Sequence, residues 1–167
     1  IGIAREALNA LTDGSDNIGI GRETLKSVTT QNANIAIGSA SLRDLNDSAA
    51  NDNIAIGSGV ATQRTSGDAN VFIGRGVNQF NTGGGNDNIA IGTNSLRNAG
   101  TSGNVMLGSL TGTNITTGAY NTAIGRFAMS FGSSFDADIT GAVALGHGAA
   151  SQFNFSNLFV VSNKFTP

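Results

Sequence analysis

The chain is 167 residues long, the size of one domain, and nine Lys+Arg against eleven Asp+Glu leave a net charge of -2. Charged residues make up only 12% and the basic ones are scattered singly, which excludes the polybasic stripe that nucleic acid or anionic lipid requires. Cysteine is absent, excluding disulfides and Cys-type metal sites, and with no apolar run long enough to span a bilayer and no basic-then-apolar leader, neither a membrane span nor a signal peptide is expected.

Glycine is the outlier, 24 residues against a single Pro. At that density it marks either a flexible linker or a fold that turns sharply and often, and the regular placing of Ile, Leu and Val argues for the second. Along the chain one short unit returns. Ile1 to Leu8 matches Ile18 to Leu25 with Ala4 in the glycine slot, so the chain opens within a repeat, as expected of a piece of something longer. Asn17-Ile18-Gly19-Ile20-Gly21 is followed by Asn34-Ile35-Ala36-Ile37-Gly38, Asn53-Ile54-Ala55-Ile56-Gly57, Asn70-Val71-Phe72-Ile73-Gly74 and Asn88-Ile89-Ala90-Ile91-Gly92. Then come Asn104-Val105-Met106-Leu107-Gly108, Asn121-Thr122-Ala123-Ile124-Gly125 and a degenerate Ala142-Val143-Ala144-Leu145-Gly146. These nine copies are spaced by 17, 17, 19, 17, 18, 16, 17 and 21 residues, a period close to 17.

Two apolar residues flanking a small one give a period-2 signal, hence a short strand with its large residues on one face and the small one on the other. A small middle residue lets another layer approach closely. The closing Gly suits a turn at positive φ. A second apolar position follows four residues later (Leu8, Leu25, Leu42, Leu96, Met129) and a third at seven (Leu11, Val28, Leu45, Ala99, Ile115, Phe153). Together with the strand pair, these are expected to point inward. The Asn either stacks on its counterpart one coil away in an amide ladder or serves as a turn residue, and both roles are structural. Leu25 and Val28 sit at helical spacing, but Gly and Asn every few residues defeat a helix.

The expected fold is all-β, a parallel β-solenoid of nine coils over residues 1–150, with 151–167 as a C-terminal cap or exit segment leading to a further domain. So few apolar side chains per coil leave a lone stack thinly held, and burial against neighbouring copies would add to it.

The run Gly118-Ala119-Tyr120-Asn121-Thr122-Ala123-Ile124-Gly125-Arg126-Phe127-Ala128-Met129 resembles the head repeats of trimeric autotransporter adhesins. It also resembles the head-like repeats of phage tail fibres and related bacterial surface fibres that carry a C-terminal self-cleaving chaperone. The resemblance covers about residues 1–150. It implies a left-handed parallel β-roll assembled as a parallel homotrimer: an extracellular rod on a virion or cell surface that meets a glycan or protein receptor. The coil is longer than is typical of adhesin heads, and Thr113-Asn114-Ile115-Thr116-Thr117-Gly118 fits the fibre-type repeat, which favours a fibre with a chaperone over an autotransporter with a membrane anchor.

Seven of the nine Phe lie between Phe127 and Phe165, where the longest spacing also falls. Receptor contact is therefore expected at Phe131, Phe135, Asp136 and Asp138 in the extended loop and at Phe153 and Phe155 after the last repeat, because aromatic faces carry much of binding energy. The competing expectation is that these Phe cap the solenoid. Arg5, Arg22, Arg75, Arg126 and His147 follow the slot glycine and read as a solvated stripe.

No catalysis, cofactor or metal is expected. A nucleophile-base triad needs a histidine, and the only one, His147, lies in a repeat slot. Asp136 and Asp138 could pair for glycoside cleavage, but two loop residues so close in sequence carry no separation information. Gly83 to Asp87 only faintly matches a calcium nonapeptide, and structural calcium on Asp13, Asp16 or Asp87 has no recurring motif behind it. A regular Thr-x-Thr file for ice binding is absent. Two alternatives to an adhesive fibre stand: a glycan-processing tailspike domain, and a purely structural shaft with recognition elsewhere.

Overall fold

In the computed structural model, residues 1–81, 83–98, 100–130, 138–151, 157 and 159–161 are described. Among these residues ten strands form a single parallel sheet in chain order: β1 Gly2–Ile3, β2 Ile18–Ile20, β3 Ile35–Ile37, β4 Ile54–Ile56, β5 Val71–Ile73, β6 Ile89–Ile91, β7 Val105–Leu107, β8 Thr122–Ile124, β9 Val143–Leu145 and β10 Phe159–Val161. Each of the nine repeats supplies one strand, and every strand pairs with the next in strict register, as in Ile35↔Ile54, Ala36↔Ala55 and Ile37↔Ile56. The chain is thus a β-solenoid of about nine turns. β10 pairs with β9 through Val160↔Ala144 and continues the sheet past the last repeat legible in sequence. Its sequence hides this because Leu158 and Ser162 stand where the pattern has Asn and Gly.

The strand faces are the reverse of the sequence expectation. The middle residue points into the coil: Ala36, Ala55, Phe72, Ala90, Met106, Ala123 and Ala144 are fully buried. The flanking Ile, Val and Leu lie on the outside, half-buried or exposed. Coil thickness decides the matter. A Cβ added to Gly19 would sit 3.0 Å from Thr24 Oγ1 and 3.4 Å from Leu8 Cγ, so each strand faces the second apolar position across a narrow interior. Only a small residue fits unless its opposite number shrinks. Met106 is accommodated because Gly112 occupies the second position, where a Cβ would come within 2.8 Å of the Met106 sulfur. The inward role of Leu25, Leu42, Leu96, Met129, Val28, Leu45 and Ile115 holds, all of them fully buried; Ala99 and Phe153 lie outside the described residues.

The slot glycines do more than turn the chain. Gly57 has φ +132, and a Cβ there would lie 1.6 Å from the Gly74 carbonyl oxygen of the next coil. Left-handed backbone is not confined to glycine: Glu6, Glu23, Asn94 and Leu110 two residues after the slot, and Leu8, Leu25, Leu42, Leu96 and Met129 four after it, have φ between 47 and 60. A side chain in that conformation costs about 1 kcal/mol or more. In return the backbone donors bond to the adjacent coil, as in Leu25 N–H to Ser41 O (3.1 Å), Leu42 N–H to Val60 O (3.0 Å) and Glu23 N–H to Arg5 O (3.0 Å). Turn segments are therefore stitched coil to coil much as the strands are, which satisfies buried backbone groups where no sheet exists.

Candidate functional site

The Asn slot resolves into a ladder. Asn34 N–H donates to Asn17 Oδ1 (3.0 Å), Asn53 N–H to Asn34 Oδ1 (3.0 Å), Asn70 N–H to Asn53 Oδ1 (3.1 Å) and Asn88 N–H to Asn70 Oδ1 (3.1 Å). Asn104 N–H continues it to Asn88 Oδ1 (3.0 Å), and Asn121 N–H to Asn104 Oδ1 (3.1 Å). From Asn53 to Asn121 each side-chain amide also donates to the Oδ1 of the preceding Asn. All seven are buried, so the ladder is scaffold and offers nothing to a ligand. It ends where Asn121 Oδ1 accepts from Ala142 N–H (3.0 Å), so the register survives the 21-residue spacing between them.

Of the residues expected to meet a receptor, Phe131, Phe135, Asp136, Phe153 and Phe155 lie outside the described residues. Asp138 is exposed beside the buried Ile139. In the stripe after the slot glycine, Arg126 stacks over Phe127 (4.5 Å to the ring centroid), and His147 meets the edge of the same ring at 5.9 Å. Among the described residues no cluster of three or more His, Asp or Glu side chains is placed to hold a metal ion, and no helix is long and apolar enough to cross a membrane.

Two surfaces stand out that sequence reasoning missed. One is the outer face of the sheet. The residues flanking each strand centre form two parallel files, from Ile18 and Ile20 to Val143 and Leu145, carrying only Ile, Val and Leu apart from Thr122. Ile3 is 54% exposed, Ile91 38% and Ile124 42%, so the molecule turns an uncharged aliphatic strip to solvent. The alternation was visible in sequence, but alternation alone does not say which face is inside.

The other is a polar cavity of about 320 Å³ on the turn side of coils four to six, where Arg75, Gln79, Asn94 and Arg97 surround Gly59 and Gly76. Arg97 lies over the Phe80 ring at 4.5 Å, and its buried Nε has no hydrogen-bond partner. Its signal in sequence is faint, since it is made partly of missing side chains.

Comparison with family models, with curated proteins and with solved structures found no match.

Proposed function

We propose that this chain is a non-catalytic segment of a homotrimeric adhesive fibre, extracellular on a virion tail or a bacterial surface, which presents a receptor-binding surface to a cell-surface glycan or protein. The observation that carries the reading is the aliphatic strip on the outer face of the sheet. A continuous apolar patch exposed on a rod is unfavourable in water and marks an interaction surface. Its occupant is best another copy of this chain: the strip is uncharged, so nothing in it selects a charged partner, and its repeat of one Ile pair per coil is matched by the same repeat in an identical rod. The number three, and the parallel arrangement, rest on the resemblance to trimeric fibre and adhesin heads. The same assembly would multiply any weak receptor site on the rod, since linked sites bind with an avidity of roughly 10²–10⁴ over one alone.

The test replaces Ile56 and Ile73, neighbours across β4 and β5, by Lys. Both side chains point outward, so the coil keeps its interior and its circular dichroism spectrum. The double variant is expected to lose the trimer and to bind whole target cells at least tenfold more weakly. Unchanged mass together with unchanged cell binding would contradict the reading.

A further inference from the structure

The first coils show what this fold does with charge on its turn side. Arg5 and Arg22 follow their slots, Glu6 and Glu23 come next, and Lys26 lies five residues after Gly21. The acids neutralise the bases: Lys26 Nζ is 2.6 Å from Glu6 Oε2, and Glu23 Oε1 is 3.6 Å from both Arg5 and Arg22. Glu6 is held below the usual carboxylate range by its hydrogen bond and attraction to Lys26.

Coils five and six each keep one base, and coils four to six lack the acids. Arg75 occupies the position of Arg22, and Arg97 that of Lys26, but the two Glu positions become Gly59, Gly76 and Asn94. Among the described residues no carboxylate lies within ion-pair distance of Arg75 or Arg97. The missing side chains also open the cavity these arginines line. Its lining is polar, with two guanidinium forks for a planar carboxylate and the primary amides of Gln79 and Asn94 to donate to and accept from hydroxyls. Phe80 holds the Arg97 guanidinium from one side. At about 320 Å³ the cavity lies at the small end of ligand sites, with room for one sugar ring.

We propose that this cavity binds a carboxylate-bearing sugar residue, of the uronic or sialic acid class, with Arg75 and Arg97 taking the carboxylate and Gln79 and Asn94 the ring hydroxyls. The choice of a cell-surface sugar rests on the adhesive reading, but the cavity is built within one chain and stands or falls separately from the assembly.

The test follows the amide resonances of Gly59 and Gly76 by NMR on the whole protein, titrated with D-glucuronate, N-acetylneuraminate and D-glucose. A saturable shift with at least one sugar acid, and none with glucose at tenfold higher concentration, is expected. The discriminating variant is Gly59→Glu, which restores the acid of the early coils. Glu23 takes φ 59 at the equivalent position, against +66 at Gly59, and the nearest neighbour to an added Cβ there is 3.4 Å away, so the variant is expected to fold with a small loss of stability, checked by its circular dichroism spectrum. It should bind the sugar acid at least tenfold more weakly, as should Arg75→Gln. No saturable shift with either acid, an equal response to glucose, or full binding by Gly59→Glu would overturn the assignment. Light scattering on the same samples separates the two ideas: a trimer indifferent to sugar acids removes only the cavity's role, and a monomer that binds them removes only the assembly.

Discussion

From Gly21 to Gly125 each slot glycine sits where the next coil's backbone passes closest, whereas a glycine two residues on merely leaves a surface side chain out. Gly57 and Gly59 show the difference. At Gly57 both the backbone conformation and the carbonyl of Gly74 forbid a Cβ, whereas at Gly59 the φ of +66 is one that Glu23 and Asn94 adopt in equivalent positions, and an added Cβ would make only ordinary contact, 3.4 Å from Gln79 Nε2. Gly57→Ala is therefore expected to lower stability by roughly 3 kcal/mol or more and Gly59→Ala by about 1 kcal/mol. Thermal unfolding of the two variants side by side checks this, and equal losses would show that close coil approach is not what fixes the slot. The slot glycines were legible in sequence because they recur. The left-handed Leu25 and Leu42 were not, because nothing in a leucine signals positive φ; that conformation is imposed by coil-to-coil hydrogen bonds which no local propensity reports.

At the scale of the coil, most interiors are aliphatic, but the fourth and fifth are not. Arg64 occupies the file of Val28 and Leu45 and is fully buried, beside Asn78 and Asn81. Its Nη1 donates to Asn78 Oδ1 (3.0 Å), its Nη2 to the Gly85 carbonyl, and its guanidinium lies 5.4 Å from the Phe72 ring centroid. Burial pushes its pKa down to about 10, so it is still charged at neutral pH, with a buried Nε that has no partner. A buried charge with no carboxylate in ion-pair contact, attracted only at longer range by Asp68, costs stability, and its acceptors do not depend on it: Asn78 Oδ1 also accepts from Asn81, and Gly85 O from Asn70 Nδ2. Arg64→Met should therefore be neutral or stabilising by up to ~2 kcal/mol, while Arg64→Ala, which leaves a void under Phe72, should cost about 2–4 kcal/mol. Denaturation midpoints decide; a Met variant as damaged as the Ala variant would mean the charge itself stabilises the coil. The strand faces carry the companion lesson. Period-2 alternation separated Ile35 and Ile37 from Ala36 correctly, but which set is buried depends on the distance across the coil, set by Leu8, Thr24 and their equivalents from outside the strand.

For the whole molecule, the solenoid and its period were readable because nine copies agree, while the surfaces that bear on function were not. The polar cavity joins residues from three coils, from Gly59 to Arg97, and owes its shape to side chains that are missing. The outer strip emerges only once the strand faces are known. That strip also carries the central claim, that the rod exists as a bundle of identical copies. The most direct measurement is the molar mass of the wild-type protein by light scattering coupled to size exclusion, repeated over a hundredfold range of concentration. With a chain of 16.8 kDa, the account predicts a single species near three times that mass, about 50 kDa, unchanged on dilution. A species of one chain mass at every concentration would contradict it.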